Sequence, residues 1–531
     1  MSAAAVPLDG AMAERPAINP PINPWIIALA VTLATFMEVL DTSIANVALP
    51  HIAGGLSAGV DESTWVLTSY LVSNAIVLPL SGWLSSIMGR KRFYMSCVAL
   101  FTISSFLCGF ATSLPMLIVF RVLQGVGGGG LQPSEQAILA DTFPPAKRGM
   151  AFAVYGVAVV TAPALGPTLG GWITDNYSWR WIFFINIPVG ILSLLLTSRL
   201  IQDPPYFRRR KLSETKIDYI GLSMVALGLG TLQVILDKGQ RDDWFDSHFI
   251  VVLTAISAAA LIFVIWWEWR HEDPIIDLHL FSQRTFAAAN FLMFMLGFVL
   301  LGSTLLLPLF MQTLLGYTAE RAGMALTPGG LVIMAILPVV GFLLSKYDAR
   351  RLMVVGLTAL ALALFHMTRF DLQIDFHTCM MARIYQGAGL AFLFVPINTA
   401  AYAYLPREKN NAASGLMNLA RNIGGSVGIS FVTTMLDRRQ QYHMARLSSN
   451  LSAANPSLRS ALAGIAARLG GAGSADAMHK AYALIESTVI RQAGMLAYID
   501  CFWLLGVSSL VMIPLVFVMK KTKAGSGMAA H

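Results

Sequence analysis

A chain of 531 residues that is 56% apolar and only 12% charged, with a net charge of +8, is not a soluble domain, because soluble domains carry about 25% charged residues. Its mean hydropathy of +0.64 makes it an integral membrane protein. The positive charges sit in short loops between apolar runs, where they meet anionic lipid headgroups, and they form no nucleic-acid face.

In chain order, residues 1–24 are rich in Ala and Pro, carry a single basic residue, Arg15, and lack a signal-peptide core, so they read as a loose terminal tail. Fourteen apolar stretches follow, near 25–49, 63–87, 93–112, 116–139, 150–173, 181–200, 217–236, 248–268, 286–311, 322–345, 352–368, 377–403, 411–435 and 497–519. Each is long enough for a helix to cross a hydrocarbon layer of ~30 Å. Helices alone satisfy the backbone of such isolated segments in lipid, so an all-α membrane bundle is expected.

The first stretch is unusual. It carries Glu38 and Asp41, with Thr35, Thr42 and Asn46, in one sector of a helix. A charge at bilayer depth costs roughly 2.5–3.5 kcal/mol on insertion scales, so this stripe must face protein or water.

Lys and Arg set the orientation. With the N-terminus inside, the even-numbered connections and the termini hold about twenty-one positive charges, against about four in the short odd-numbered loops. Both termini are therefore expected in the cytoplasm. The long connection 437–496 lies outside, and its Ala/Leu/Arg composition suggests short amphipathic helices. The four cysteines fall inside apolar runs without metal-ligand spacing and imply neither a disulfide framework nor a metal site.

The chain also repeats. Arg121-Val-Leu-Gln124-Gly125 returns as Arg383-Ile-Tyr-Gln386-Gly387, and Gly82 to Arg92 has a partner in Gly341 to Arg351. Two six-span halves of like orientation, 25–200 and 285–519, are separated by two inserted spans within 201–284, with a short tail at 520–531. Such repeats place a substrate site at the repeat interface near the midplane.

These residues resemble the major facilitator superfamily, and within it the fourteen-span drug:proton antiporters of the EmrB/QacA type. Leu40 to Pro50 is similar to that group's first-span motif, and the Arg121 stretch to its span-four coupling motif. Gly166, Pro167, Gly170 and Gly171 match the span-five antiporter motif, and Asn418 to Gly428 is similar to its span thirteen. The resemblance implies a major facilitator fold of two six-helix bundles with two extra helices between them. It also implies proton-coupled export of lipophilic drugs or toxic small molecules across the bacterial inner membrane, and a periplasmic adaptor of the EmrA type with an outer-membrane channel. The connection 437–496 reads as an adaptor dock or as a flexible loop. In the cytoplasmic loop motif Gly82, Gly89, Arg90 and Lys91 are present, but Ser86 and Ile87 stand where the superfamily has Asp and Arg, which puts the loop's Asp–Arg brace in doubt.

Helix rise places Arg121 and the two acids at similar depth. A carboxylate facing a guanidinium is held ionised, whereas one alone in apolar surroundings takes up a proton. Asp41 with Glu38 is then a proton carrier modulated by Arg121, or a static brace between helices. Asn46 and Gln124 flank them as cavity candidates. Glu135 reads as a cation-attracting cavity residue or a solvated helix end. Arg421, with Asn418 and Asn422, lies too deep in span thirteen to snorkel and needs an internal partner. Arg383 reads as a structural support of the second half.

The glycines of span five read as packing and flexing. The GxGxxG at Gly125, Gly127 and Gly130 has no strand before it, so it is no dinucleotide loop. Phe36, Trp65, Tyr70, Tyr155, Phe294, Met295, Phe298 and Met311 line a greasy pocket or face lipid and neighbouring helices. No HExxH, GxSxG or Walker loop is present, which argues against an enzyme and leaves an ion gradient, with no cofactor, as the energy source. The alternative on the same fold is an exporter or symporter of one metabolite or fatty acid.

Overall fold

The computed structural model describes residues 23–203, 218–271, 274–449, 451, 455–469 and 475–522. Most of the expected N-terminal tail, the basic run Arg208 to Lys211 and the last nine residues lie outside that set.

The fourteen expected stretches fold as helical spans in chain order. Spans one to six are Pro24–Gly55, Trp65–Met88, Arg90–Gly109, Leu114–Thr142, Pro145–Asn176 and Trp181–Leu200. Spans seven and eight are Tyr219–Lys238 and His248–Arg270. Spans nine to fourteen are Arg284–Thr313, Ala319–Leu343, Ala349–Met367, Phe376–Tyr402, Asn410–Ser448 and Ala475–Val518. Twelve are long and apolar enough to cross a membrane, and thirteen when the bent fifth span counts as one. Span thirteen completes the fourteen. It falls short in apolarity because Asn410, Asn411, Ser414 and Asn418 are buried against protein and never meet lipid.

Local chemistry starts the helices. Pro24 occupies the first turn of span one, where its missing N–H costs nothing, and the Asn23 side chain accepts from the Trp25 amide. Asp218, Thr318, Asp348 and Asp375 cap spans seven, ten, eleven and twelve in the same way.

The repeat is visible in the packing. Span one lies on five as nine lies on thirteen, two on four as ten on twelve, and three on six as eleven on fourteen. Pro24 begins and Val518 ends at one face of the bundle, the terminal face. The halves meet where span two crosses thirteen and span five crosses ten. Both crossings are tight toward the terminal face: a Cβ on Gly82 would stand 2.7 Å from the Ala412 Cα, and one on Gly341 would stand 3.0 Å from the Met150 Cα.

The connection 437–496 holds a short amphipathic helix, Pro456–Leu469, as its composition suggests, and the flanking spans also extend into it. Span thirteen runs on unbroken to Ser448, and span fourteen begins already at Ala475. Between them, Leu458, Leu462 and Ala466 of the helix Pro456–Leu469 bury against Ala477 and Ala481. Asp500 accepts from Arg439 Nε at 2.5 Å and pairs with His443, which ties the two extensions together.

Candidate functional site

Glu38 and Asp41 lie one turn apart on span one, and the helix period aims both at span four. Span four carries Arg121 and Gln124 on its first segment, Leu114–Gly128, and Gln132, Glu135 and Gln136 on its second, Leu131–Thr142. Gly129 and Gly130 separate the segments. A Cβ at Gly130 would stand 2.4 Å from Cys97 Sγ, so the break packs against span three. The Gly125 to Gly130 run is a packing surface.

Arg121 and Asp41 form the first network. Arg121 Nη1 donates to Asp41 Oδ2 at 2.6 Å, and the two residues are 0% and 2% exposed. Gln124 Nε2 and Asn186 Nδ2 donate to Asp41 Oδ1 at 3.0 and 2.8 Å. Arg121 also donates to the Val66 carbonyl at 3.1 Å and lies 4.4 Å over the Tyr70 ring. The carboxylate thus has three donors and a buried counter-charge.

Glu38 is held by a second network, with no cation in direct contact among the described residues. The Tyr70 hydroxyl and Asn74 Nδ2 each donate to Oε1 at 3.2 Å, and Gln132 Nε2 donates to Oε2 at 2.8 Å. On the other side of that amide, Gln132 Oε1 accepts from the Tyr155 hydroxyl at 3.0 Å and from Arg421 Nη2 across the seam between the halves. Tyr70 joins the two networks, with its ring under Arg121 and its hydroxyl on Glu38. Tyr70 and Tyr155 therefore serve as hydrogen-bond donors and not as greasy pocket lining.

Glu135 is 0% exposed and accepts from Thr32 Oγ1 at 2.6 Å. A solvated helix end is thereby corrected, because the second segment of span four packs against span one and buries this acid there. Asn418 is not gathered with Arg421. Its Nδ2 donates to Gln136 Oε1 at 3.1 Å, and the Tyr402 hydroxyl donates to the same oxygen at 3.0 Å. That trio seals the halves toward the terminal face. Asn46 is exposed and takes no part in the hydrogen bonds around Asp41, and Asn422 is half-buried. The cavity candidates are thus split among separate networks.

The loop motif keeps its brace by another route. Gly89 takes φ +88°, a left-handed setting that favours glycine, and ends span two. Arg90, 2% exposed, pairs with Asp141 at the foot of span four, and Asp141 also accepts from Asn410 Nδ2 at 2.9 Å. Lys91 Nζ donates to the Ser198 carbonyl at 2.6 Å. Asp141 supplies the acid missing at Ser86. The signal was present in sequence as an acid one turn before the Pro144-Pro145 corner, but spacing alone does not reveal its partner.

In span five, a Cβ on Gly166 would stand 2.2 Å from Ser43 Oγ, so Gly166 lets spans one and five touch. Gly170 lies against Ile44, whereas nothing lies within 4 Å of a Cβ on Gly171, which corrects a packing role there. The Pro167 side chain lies outside the described residues. The span bends by 43° between Lys147–Pro163 and Thr168–Asn176.

In the second half Arg383 donates to Gln386 Oε1 at 2.6 Å and to Thr304 Oγ1 at 2.8 Å, and Gln386 Nε2 donates to Ser303 at 2.5 Å. The repeat is therefore exact in its Arg and Gln but puts hydroxyls where the first half has Asp41. Among the described residues, no group of three or more His, Cys, Asp or Glu could hold a metal ion.

Two six-span halves in like packing, with acids and guanidinium groups buried between their helices, define a membrane transporter built from internal repeats. The chain belongs to the Major Facilitator Superfamily, whose sequence profile matches residues 31–429. It is 37% identical over 509 residues to the Multidrug export protein EmrB of Escherichia coli strain K12, covering 95% of this chain and 98% of that protein. It is 38% identical over 499 residues to the Fatty acid resistance protein FarB of Neisseria gonorrhoeae, covering 93% and 96%. Among solved structures, the proton:xylose symporter XylE superposes with a TM-score of 0.61 at 15% identity, covering 94% of this chain and 97% of that one, a likeness of fold.

Proposed function

We propose that this chain exports lipophilic compounds in exchange for protons, by alternating access across a bacterial inner membrane with both termini in the cytoplasm. The observation that carries the reading is the Asp41–Arg121 pair, sealed from solvent beside Glu38, which lacks a direct counter-charge. Two carboxylates one turn apart in such different settings suit a proton site whose occupancy follows conformation. The names of the relatives, one exporting multiple drugs and one conferring fatty acid resistance, support the substrate class. The terminal face takes the cytoplasmic side because the Lys and Arg loops gather there. The seam is closed on that side by the contacts among Gln136, Asn418 and Tyr402. Energy comes from the proton gradient, and no cofactor is required.

The test uses everted membrane vesicles energised to an acid interior. Addition of ethidium should dissipate the pH gradient only when the protein is present, and Asp41→Asn should abolish the response. A gradient that ethidium leaves untouched, together with unimpaired ethidium export, would exclude proton exchange. A second reading, a lipophilic acid as substrate, draws on Arg383, whose guanidinium donates to Gln386 and Thr304 and meets no carboxylate among the described residues. In that case oleate, and not ethidium, should dissipate the gradient.

Outside the membrane, the extensions of spans thirteen and fourteen project as a helical stalk with Tyr442, Tyr482, Leu484 and Ile490 exposed. This surface is where a periplasmic adaptor would dock, with an outer-membrane channel beyond it.

A further inference from the structure

We infer that the Gln132 side-chain amide is a two-position switch. The Arg421 guanidinium of the second half sets its orientation, and the amide in turn decides whether Glu38 is held as carboxylate or as carboxylic acid. The inference deepens the antiport reading and rests on it.

The chemistry lies in which atoms can only donate. A carboxamide presents a carbonyl oxygen that accepts and an NH2 that donates, whereas a guanidinium has donors alone. Arg421 Nη2 meets one end of the Gln132 amide, so that end must be Oε1. The other end is then Nε2, and it stands 2.8 Å from Glu38 Oε2. In this setting the amide offers Glu38 a donor, which suits a carboxylate. Tyr155 imposes no such choice, because its hydroxyl, 3.0 Å from Oε1, can donate or accept.

Without Arg421, the amide is free to turn by half a rotation. Its carbonyl would then face Glu38 and accept from a protonated carboxyl, while Nε2 would donate to the Tyr155 oxygen. The reverse also holds. A proton on Glu38 favours the turned amide, which points an N–H at Arg421 and expels it. Gln132 lies on span four and Arg421 on span thirteen, 289 residues apart and on opposite sides of the seam. Protonation of Glu38 is therefore linked to separation of the halves at this level, and each biases the other by the same factor.

The groups around Glu38 come from every element packed on it. They are Tyr70 and Asn74 of span two, Gln132 and Glu135 of span four, Arg121 over the Tyr70 ring, Tyr155 of span five, Arg421 of span thirteen, and Asp41 one turn along. Of these groups Arg421 belongs to the second half, so its contact carries the position of that half to Glu38.

The test follows the terminal face with spin labels on Arg92→Cys and Tyr347→Cys, both exposed and on different halves. The four native cysteines are buried. The full-length protein in lipid nanodiscs is read by electron–electron distance measurement from pH 5 to 9. Acidification should move the ratio of separated to closed populations by about tenfold, the scale of one charge-assisted hydrogen bond. Gln132→Met, close in size but without the amide, and Glu38→Gln should each reduce that change below about twofold, and their combination should add nothing further. Arg421→Lys, still a pure donor, should keep the response, and Arg421→Gln should lose it. A wild-type pH response in Gln132→Met overturns the switch, as does a wild-type protein whose distances ignore pH. If Glu38→Gln is flat but Gln132→Met is not, the switch alone fails. If Glu38→Gln responds like the wild type and its vesicles still exchange protons for ethidium, the role of Glu38 in antiport fails with it.

Discussion

Arg121 closes on Asp41 at 2.6 Å from a position 80 residues further along the chain, and water reaches neither. Removing one partner of such a pair leaves a buried charge unmatched, at a cost of about 3–5 kcal/mol. Asp41→Asn should therefore lower the melting temperature in detergent as well as end proton exchange. The double variant Asp41→Asn with Arg121→Gln should recover much of the stability and none of the exchange. Recovery of exchange in the double variant would reduce the pair to a brace.

Glu135 has no cation within contact among the described residues and accepts from the Thr32 hydroxyl, with that of Thr35 close by. A neutral amide of the same shape forgoes burial of a charge, so Glu135→Gln should be at least as stable as the wild type in a thermal melt. Should the acid draw cations into the pathway, ethidium export in whole cells would fall at least about fivefold, while oleate tolerance stays level, by the size of typical single-site coupling. Equal loss for both compounds would argue against that role.

Gly82 meets the Ala412 backbone at the crossing of spans two and thirteen. A leucine there has no flexible neighbour to displace. Gly82→Leu should leave the protein in the membrane but block closure of the terminal face, cutting export by about tenfold or more as the closed state loses about 1.4 kcal/mol or more. Fluorescence of cells loaded with ethidium measures the loss. Undiminished export would show that the crossing opens without cost.

The inserted spans seven and eight strap both halves near the face opposite the termini. Lys238 Nζ donates to Thr64 Oγ1 at 2.8 Å, Gln240 Nε2 to Asp437 at 2.7 Å, and Trp244 Nε1 to Thr434 at 3.0 Å. The first holds span two, and the other two hold span thirteen. Lys238→Met should destabilise by about 1 kcal/mol, the net worth of one hydrogen bond, and should raise solvent access at the far end of span two. Hydrogen exchange across residues 64–72 is the readout, and unchanged protection there would separate the strap from the gating.

Much of this protein was legible before folding. Fourteen apolar runs, the Arg121/Arg383 repeat and the Lys/Arg asymmetry belong to local composition and period, which lipid reads directly because it forbids unpaired backbone and unpaired charge. The facing of Asp41 and Arg121 was also within reach, since helix rise fixes depth. What only the tertiary structure decided are contacts across the seam and across bends. Asp141 replaced the missing acid beside Arg90, Glu135 came to lie against Thr32 of span one, and Gln132 came to lie between Glu38 and Arg421. Periodicity states which side of one helix is polar, but not which partner a neighbour's bend and crossing will bring to it, and hydrogen-bond chemistry acts only at that last separation.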